Sequence, residues 1–156
     1  MKKFISALLI LAGIALVAIS INQLFQQKEK TARSLDEARL IVADREEKDE
    51  NKPFSPNENE VIGILHIPKL GKSLPIIEGT DEEMLEKGVG HHLATKYPGD
   101  NEQILLSGHR DTEFMKFGEL EEGDRFIVEM PYGRYEDVMK EAEIVDADNT
   151  TVIGPK

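Results

Sequence analysis

The polar residues with the greatest capacity for chemistry lie in one short segment, Ser-Gly-His-Arg-Asp-Thr, at residues 107–112. His109 follows an apolar run and a glycine, so its imidazole could project into a cleft and carry protons near neutral pH. A histidine in a polar surface turn is the alternative, and from spacing alone it is the commoner outcome. The segment therefore provides one candidate proton carrier, His109, whose role depends on the elements around it.

Two other groups of residues invite a catalytic or metal-binding interpretation that their spacing does not support. Ser107, His109 and Asp111 alternate, but residues two apart on a strand are separated by about 6.6 Å, too far for the hydrogen bonds of a triad. His91 and His92 are adjacent, and on a strand they would point to opposite faces. We therefore expect neither a local triad nor a metal site, and without a glycine-rich phosphate loop we expect no cofactor.

The composition excludes further classes of function. The 156 residues contain no cysteine, which removes disulfides, thiolate metal sites and thiol nucleophiles together. The formal net charge is -11, from 19 basic and 30 acidic residues. Because an acidic surface repels phosphate backbones, we expect no nucleic-acid partner.

The N-terminus has the pattern of a membrane anchor. Residues 4–21 carry no charge, and as a helix rising about 1.5 Å per residue they would span roughly 27 Å, close to the hydrocarbon thickness of a bilayer. Lys2 and Lys3 precede this run and should stay in the cytoplasm by the positive-inside rule. We predict a single-pass anchor over residues 1–21, with the rest of the chain outside the cytoplasm. A cleaved signal peptide ending near Ala18 and Ser20 is the alternative, but the apolar run is longer than a usual signal core.

Residues 22–60 are predicted to form a polar connection between the anchor and the rest of the chain. Residues 22–50 are rich in the helix formers Gln, Lys, Glu, Arg and Ala, and their apolar residues are too sparse for a strong stripe. We predict a solvated helical stalk, with a coiled-coil contact as the alternative. Residues 51–60 contain Pro53 and Pro56 and are predicted to form a linker.

From residue 61 onward, short apolar runs between turns predict a mostly β domain built as a small barrel. The predicted strands cover residues 61–67, 74–79, 103–109, 125–130 and 133–145. The last segment has the composition of a helix, but the turn before it favours a strand. A helix of about two turns is predicted between Thr80, its N-cap, and Gly88, with Glu83 completing a capping box.

The order and spacing of several motifs resemble the sortase family from about residue 61 to residue 153. The segments are Gly-Ile-Leu-His-Ile-Pro at 63–68, Leu-Pro-Ile-Ile-Glu-Gly at 74–79, Gly-Val-Gly-His-His at 88–92, Tyr-Pro-Gly-Asp at 97–100, Leu-Leu-Ser-Gly-His-Arg-Asp-Thr at 105–112 and Phe-Gly-Glu-Leu at 117–120. Within the family the chain looks most like class D, a group from Gram-positive, spore-forming bacteria with an N-terminal membrane anchor.

The resemblance implies a closed eight-stranded β-barrel and a cysteine transpeptidase. Such an enzyme cleaves an LPxT-type sorting signal and passes the acyl group to an amine of a cell-wall precursor. His109 matches the family's catalytic histidine. Arg110 occupies a different family position from the catalytic arginine, which follows a Thr-Leu-x-Thr-Cys strand.

The family's cysteine and arginine strands are expected after residues 152–154, near the end of the sequence. We therefore interpret residues 61–156 as an incomplete sortase-like domain with about six of eight strands, truncated before the cysteine and inactive in this form. A non-catalytic, membrane-anchored peptide-binding module is one alternative. One half of a split sortase is the other.

Overall fold

The computed structural model describes residues 2–44 and 54–146. Parts of four predicted segments, at residue 1 of the anchor, 45–50 of the stalk, 51–53 of the linker and 147–156 of the domain, lie outside them. The helices are α1 (Lys2–Ala43) and α2 (Glu82–Leu85). The strands are β1 (Val61–Ile67), β2 (Lys72–Glu78), β3 (Val89–His91), β4 (Leu106–Ser107), β5 (Arg125–Met130) and β6 (Gly133–Val138).

Helix α1 is a single element of 42 residues. Its most apolar 18-residue window has a mean hydropathy of 2.8 and is not buried anywhere inside the protein, so its length and composition suit a membrane span. The helix does not break where the predicted anchor gives way to the predicted stalk. Residues 14–43 contain no Gly or Pro, so no residue there would break the helix.

The last turns of α1 pack against the domain, so the prediction of a solvated stalk is wrong there. Ser34, Ala38 and Val42 recur every four residues and are all buried. Ala38 and Val42 share an apolar cluster with β1, β2 and α2, formed by Val61, Ile64, Ile77 and Met84. The stripe was overlooked because it is narrow and built partly from small residues, which allow close contact with a sheet.

Ala38→Glu is expected to detach this end of α1 from the sheet, because the site is fully buried and a carboxylate there would be desolvated without a partner. We expect the domain to lose about 2 kcal/mol or more of stability, measured by denaturant unfolding of the full chain. Ala32→Glu, at an exposed position of the same helix, is the matched control and should change stability by less than about 0.5 kcal/mol. Equal stability of the two variants would contradict the packing of α1.

The strands form one curled sheet in the order β4-β3-β2-β1-β5-β6, and only the β2–β3 pair is parallel. Strand β1 is buried along both faces, because α1 covers one face and the domain core fills the other. The core contains Ile62, Leu65, Ile67, Leu74, Ile76, Val89, Leu120, Val128 and Met130. The predicted mostly β fold with six strands is confirmed.

Several predicted boundaries are wrong. The strand predicted over residues 103–109 is reduced to β4, so His109 lies in the turn region beyond it. The strand predicted over 133–145 ends at Val138, where pairing with β5 ends. Helix α2 begins after Asp81 rather than Thr80 and has no side-chain cap. The Glu83 carboxylate accepts hydrogen bonds from Lys87 and Asn59 instead of closing a capping box.

Candidate active site

His109 lies two residues after β4, where the chain leaves the sheet. Its carbonyl accepts hydrogen bonds from the backbone N–H groups of Thr112 (3.4 Å) and Phe114 (3.1 Å), which fold the following residues back over it. Gly108 allows this close approach, because a Cβ there would lie 2.9 Å from the Phe114 ring. The backbone around His109 is thus fixed while its side chain remains 35% exposed.

Lys72 of β2 holds the loop that follows His109. Its Nζ donates hydrogen bonds to the carbonyls of Thr112 (2.9 Å) and Glu113 (2.6 Å). Burial lowers the pKa of Lys72, while the nearby Glu113 carboxylate opposes that shift. Glu113 is itself buried, and its carboxylate accepts a hydrogen bond from the Thr112 hydroxyl. The loop is therefore attached to the sheet through backbone and side-chain contacts.

The His109 imidazole faces an open cleft of about 820 Å³ between the loop and α1. Its Nε2 lies 3.6 Å from the Glu82 carboxylate of α2. Lys30 of α1 forms an ion pair with Glu86 across the cleft. The full lining is Gln23, Leu24, Gln26, Gln27, Lys30, Glu82, Glu86, His109, Arg110, Asp111 and Thr112. The arrangement exposes the His109 imidazole to a cleft lined mainly by polar residues and large enough for a substrate group.

The residues predicted as candidates for catalysis or metal binding lie in different parts of the structure. Arg110 and Asp111 line the cleft together with His109. His91 is fully buried, whereas His92 is half-buried and its Nδ1 accepts a hydrogen bond from the Ala94 N–H. Within residues 2–44 and 54–146, no group of three or more His, Asp or Glu side chains could hold a metal ion.

A buried polar network that the sequence patterns do not predict lies behind the site. Nδ1 of His91 lies 2.9 Å from Oε2 of Glu78, and both side chains are almost completely buried. The Tyr97 hydroxyl donates to Oε1 of Glu78 at 2.9 Å, and its ring stacks on His91 with centroids 4.7 Å apart. Nε2 of His91 lies 3.0 Å from the Lys96 carbonyl, which can only accept, so this nitrogen carries a proton.

The parallel β2–β3 register, which pairs Glu78 with His91, explains how residues 13 apart in sequence meet. No local pattern predicts that pairing. The network connects β2, β3 and the loop leading to β4, and thus supports the strand from which His109 emerges.

Alkaline pH is expected to destabilise the domain through Tyr97. Burial, followed by the hydrogen bond to Glu78, raises the pKa of this phenol above its ordinary value of 10.0. Above pH 10 the unfolded chain therefore ionises while the folded chain does not, so the free energy of unfolding falls as pH rises. Urea unfolding between pH 8 and about 11 measures the slope. Tyr97→Phe should make the slope shallower; an unchanged slope would contradict the assignment.

The sortase domain family matches residues 65–156. Sortase D of Bacillus subtilis (strain 168) is 40% identical, and the match covers 98% of this chain and 82% of that protein. A solved Clostridium perfringens sortase D5 transpeptidase shares the fold, with a TM-score of 0.70 and 20% identity over 82% of each chain. The catalytic domain of Bacillus anthracis SrtD is 36% identical with a TM-score of 0.57, over 67% of this chain and 73% of that one.

These matches, together with the six-stranded sheet, show that the chain belongs to the sortase family. Members of this family are cell-wall transpeptidases. Within that family its likeness is to class D, as the Bacillus subtilis relative indicates. The resemblance inferred from the motifs at residues 63–120 is confirmed.

Proposed function

We propose that this chain provides the anchored, histidine-bearing part of a sortase that acts on LPxT-type sorting signals, with His109 as its proton carrier. The exposure of His109 to the large cleft is the observation that supports the role. Its position within the Ser-Gly-His-Arg-Asp-Thr segment, which matches the family's histidine motif, supports it independently. No cofactor is required.

The chemistry proposed is acyl transfer through a thioester. A cysteine thiolate attacks the Thr carbonyl of the sorting signal, the C–N bond breaks, and the His109 imidazolium gives its proton to the departing amine. An acceptor amine of the cell-wall precursor then attacks the thioester and passes a proton to His109 as the thiolate leaves. His109 therefore ends the cycle in the state in which it began.

We further propose the topology that the charge pattern indicates. Residues 1–21 anchor the chain in the cell membrane with the two N-terminal lysines in the cytoplasm. Residues 22–60 connect the anchor to the outside, and residues 61–156 form the sortase-like domain. This arrangement keeps His109 on the side where cell-wall precursors and exported proteins meet.

The 156 residues contain no thiol, so they do not form a thioester acyl-enzyme by themselves. This observation also favours two alternatives. In one, the chain binds sorting signals without turnover. In the other, it pairs with a second chain that carries the cysteine and arginine strands, as a split enzyme.

Cleavage of a fluorescence-quenched LPxT-type peptide distinguishes these proposals. We expect no turnover by residues 1–156 and measurable turnover when a Thr-Leu-x-Thr-Cys strand and the arginine strand after it are joined to residue 156. Turnover only when those strands are supplied as a separate polypeptide would favour the split enzyme. Peptide binding without cleavage in both forms would favour the binding module, and cleavage by residues 1–156 alone would contradict the thiol requirement.

A further inference from the structure

A single peptide unit connects the side chain of Lys72 to the backbone of His109. The carbonyl of Glu113 accepts a hydrogen bond from the Lys72 ammonium at 2.6 Å. The N–H of Phe114 donates to the His109 carbonyl at 3.1 Å. That C=O and that N–H belong to the same trans peptide bond, so they point in opposite directions, one toward Lys72 and the other toward His109. We call the peptide unit between Glu113 and Phe114 the bridging peptide.

The bridging peptide is a rigid connection. A peptide unit is planar and has no soft torsion between its carbonyl and its N–H. A displacement of the carbonyl end therefore moves the N–H end as well. A cation bound to the carbonyl also polarises the unit, which strengthens the hydrogen bond that the N–H donates. The position and charge of the Lys72 ammonium are thus transmitted to the backbone of His109.

The residues on both sides of the bridging peptide are fixed by contacts of their own. The Thr112 carbonyl accepts a second hydrogen bond from Lys72, at 2.9 Å. On the other side, the Phe114 ring packs over Gly108 and against Phe117, with the two ring centroids 4.1 Å apart. The loop is therefore held by ring packing at one end and by the ammonium at the other.

Lys72 is itself held firmly at the start of β2. Its backbone pairs with Ile67 of β1, and the turn before it contains Gly71, whose φ of 60° lies in the left-handed region. Burial lowers the pKa of Lys72, so its ammonium has given up part of its hydration. Two loop carbonyls replace that water. A lysine that served only solubility would keep its hydration and extend into solvent.

We propose that Lys72 is a positioning residue for proton transfer at His109. It acts through the bridging peptide rather than on the reacting atoms. His109 lies beyond β4, a strand of only two residues, so the sheet by itself constrains the histidine backbone weakly. The contact from β2 supplies the further constraint and keeps the imidazole directed into the cleft. This inference rests on the proposed function, because it takes His109 as the proton carrier.

The test uses the full chain in phosphatidylcholine nanodiscs, with isotope-labelled histidine and phenylalanine. Lys72→Met keeps an unbranched side chain but removes the ammonium. We expect the Phe114 amide of this variant to exchange with solvent about tenfold faster or more, because its hydrogen bond to His109 is weakened. The carbonyl and ring resonances of His109 should shift or broaden. Lys72→Arg, which retains a cation and its donors, should restore most of the protection.

Lys69→Met is the matched control. Lys69 lies in the turn just before β2, but its ammonium pairs with Glu121 and Asp124 instead of the loop after His109. The same change of side chain should therefore leave the exchange of the Phe114 amide and the His109 resonances as in the parent chain.

Unchanged His109 resonances and Phe114 exchange in Lys72→Met would overturn the proposal. The resonances of His91, in the buried network, report general structure, so changes at His91 as large as those at His109 would also overturn it. If Lys72→Met does not fold, Lys72→Gln, whose shorter polar side chain cannot replace the ammonium contacts, is judged by the same two criteria. Neither result depends on the proposed function, because peptide cleavage by the cysteine-bearing chain measures that function separately.

Discussion

Replacement of His109 with alanine is expected to lower LPxT-type peptide cleavage by about 10²–10⁴-fold in a chain that carries the cysteine and arginine strands after residue 156. The imidazole faces the cleft and is the proposed donor to the leaving amine, so its loss leaves that amine to depart unprotonated. The measurement is kcat/KM with a fluorescence-quenched peptide, followed by mass spectrometry of the products.

His92→Ala is the matched control for this prediction. His92 is half-buried, and its Nδ1 accepts a hydrogen bond from the Ala94 N–H, so its removal changes a local turn rather than the cleft. Cleavage by this variant should remain close to that of the parent chain. If His109→Ala retained cleavage within about threefold of the parent, His109 would not be the proton carrier.

His91→Phe is expected to destabilise the domain by about 3–5 kcal/mol. The substitution keeps an aromatic ring next to Tyr97 but leaves the Glu78 carboxylate buried without its imidazole partner. An uncompensated buried charge is far more costly than the absence of the whole pair. Guanidinium unfolding of the full chain measures the loss.

The double variant His91→Phe/Glu78→Met should recover part of this loss, because it removes the carboxylate together with its partner. His92→Phe, a change of the same type at the neighbouring half-buried site, should alter stability by less than about 1 kcal/mol. A double variant as unstable as His91→Phe would mean that the two side chains are not coupled.

Much of the sheet could be predicted from local patterns. β1 and β5 occupy the residues predicted for them, because each is an apolar run closed by a turn signal. β3 carries no comparable signal, since Val-Gly-His is too short to show a period. Its strand conformation depends on parallel pairing with β2, a contact between segments about a dozen residues apart. The ends of β4 and β6 likewise depend on their pairing partners.

The candidate site was only partly predictable. His109 was identified because its motif is local and resembles that of a known family. The contribution of Gln27 and Lys30 was not predicted, because glutamine and lysine are equally suited to a helix surrounded by water. Only the position of α1 against the sheet shows that Gln27 and Lys30 face the cleft. The Glu78–His91 pair was missed because nothing in the sequence shows that those two positions are opposite each other.

The sequence alone therefore determined the apolar helix, most of the strands, the histidine motif and the absence of a thiol from these 156 residues. These features depend on composition and short-range order, which can be read along the chain. The tertiary structure decided that α1 packs on the sheet, that Glu78 meets His91, and that His109 shares a cleft with α1. Those contacts join distant segments, and the register and packing that bring them together exist only in the folded chain.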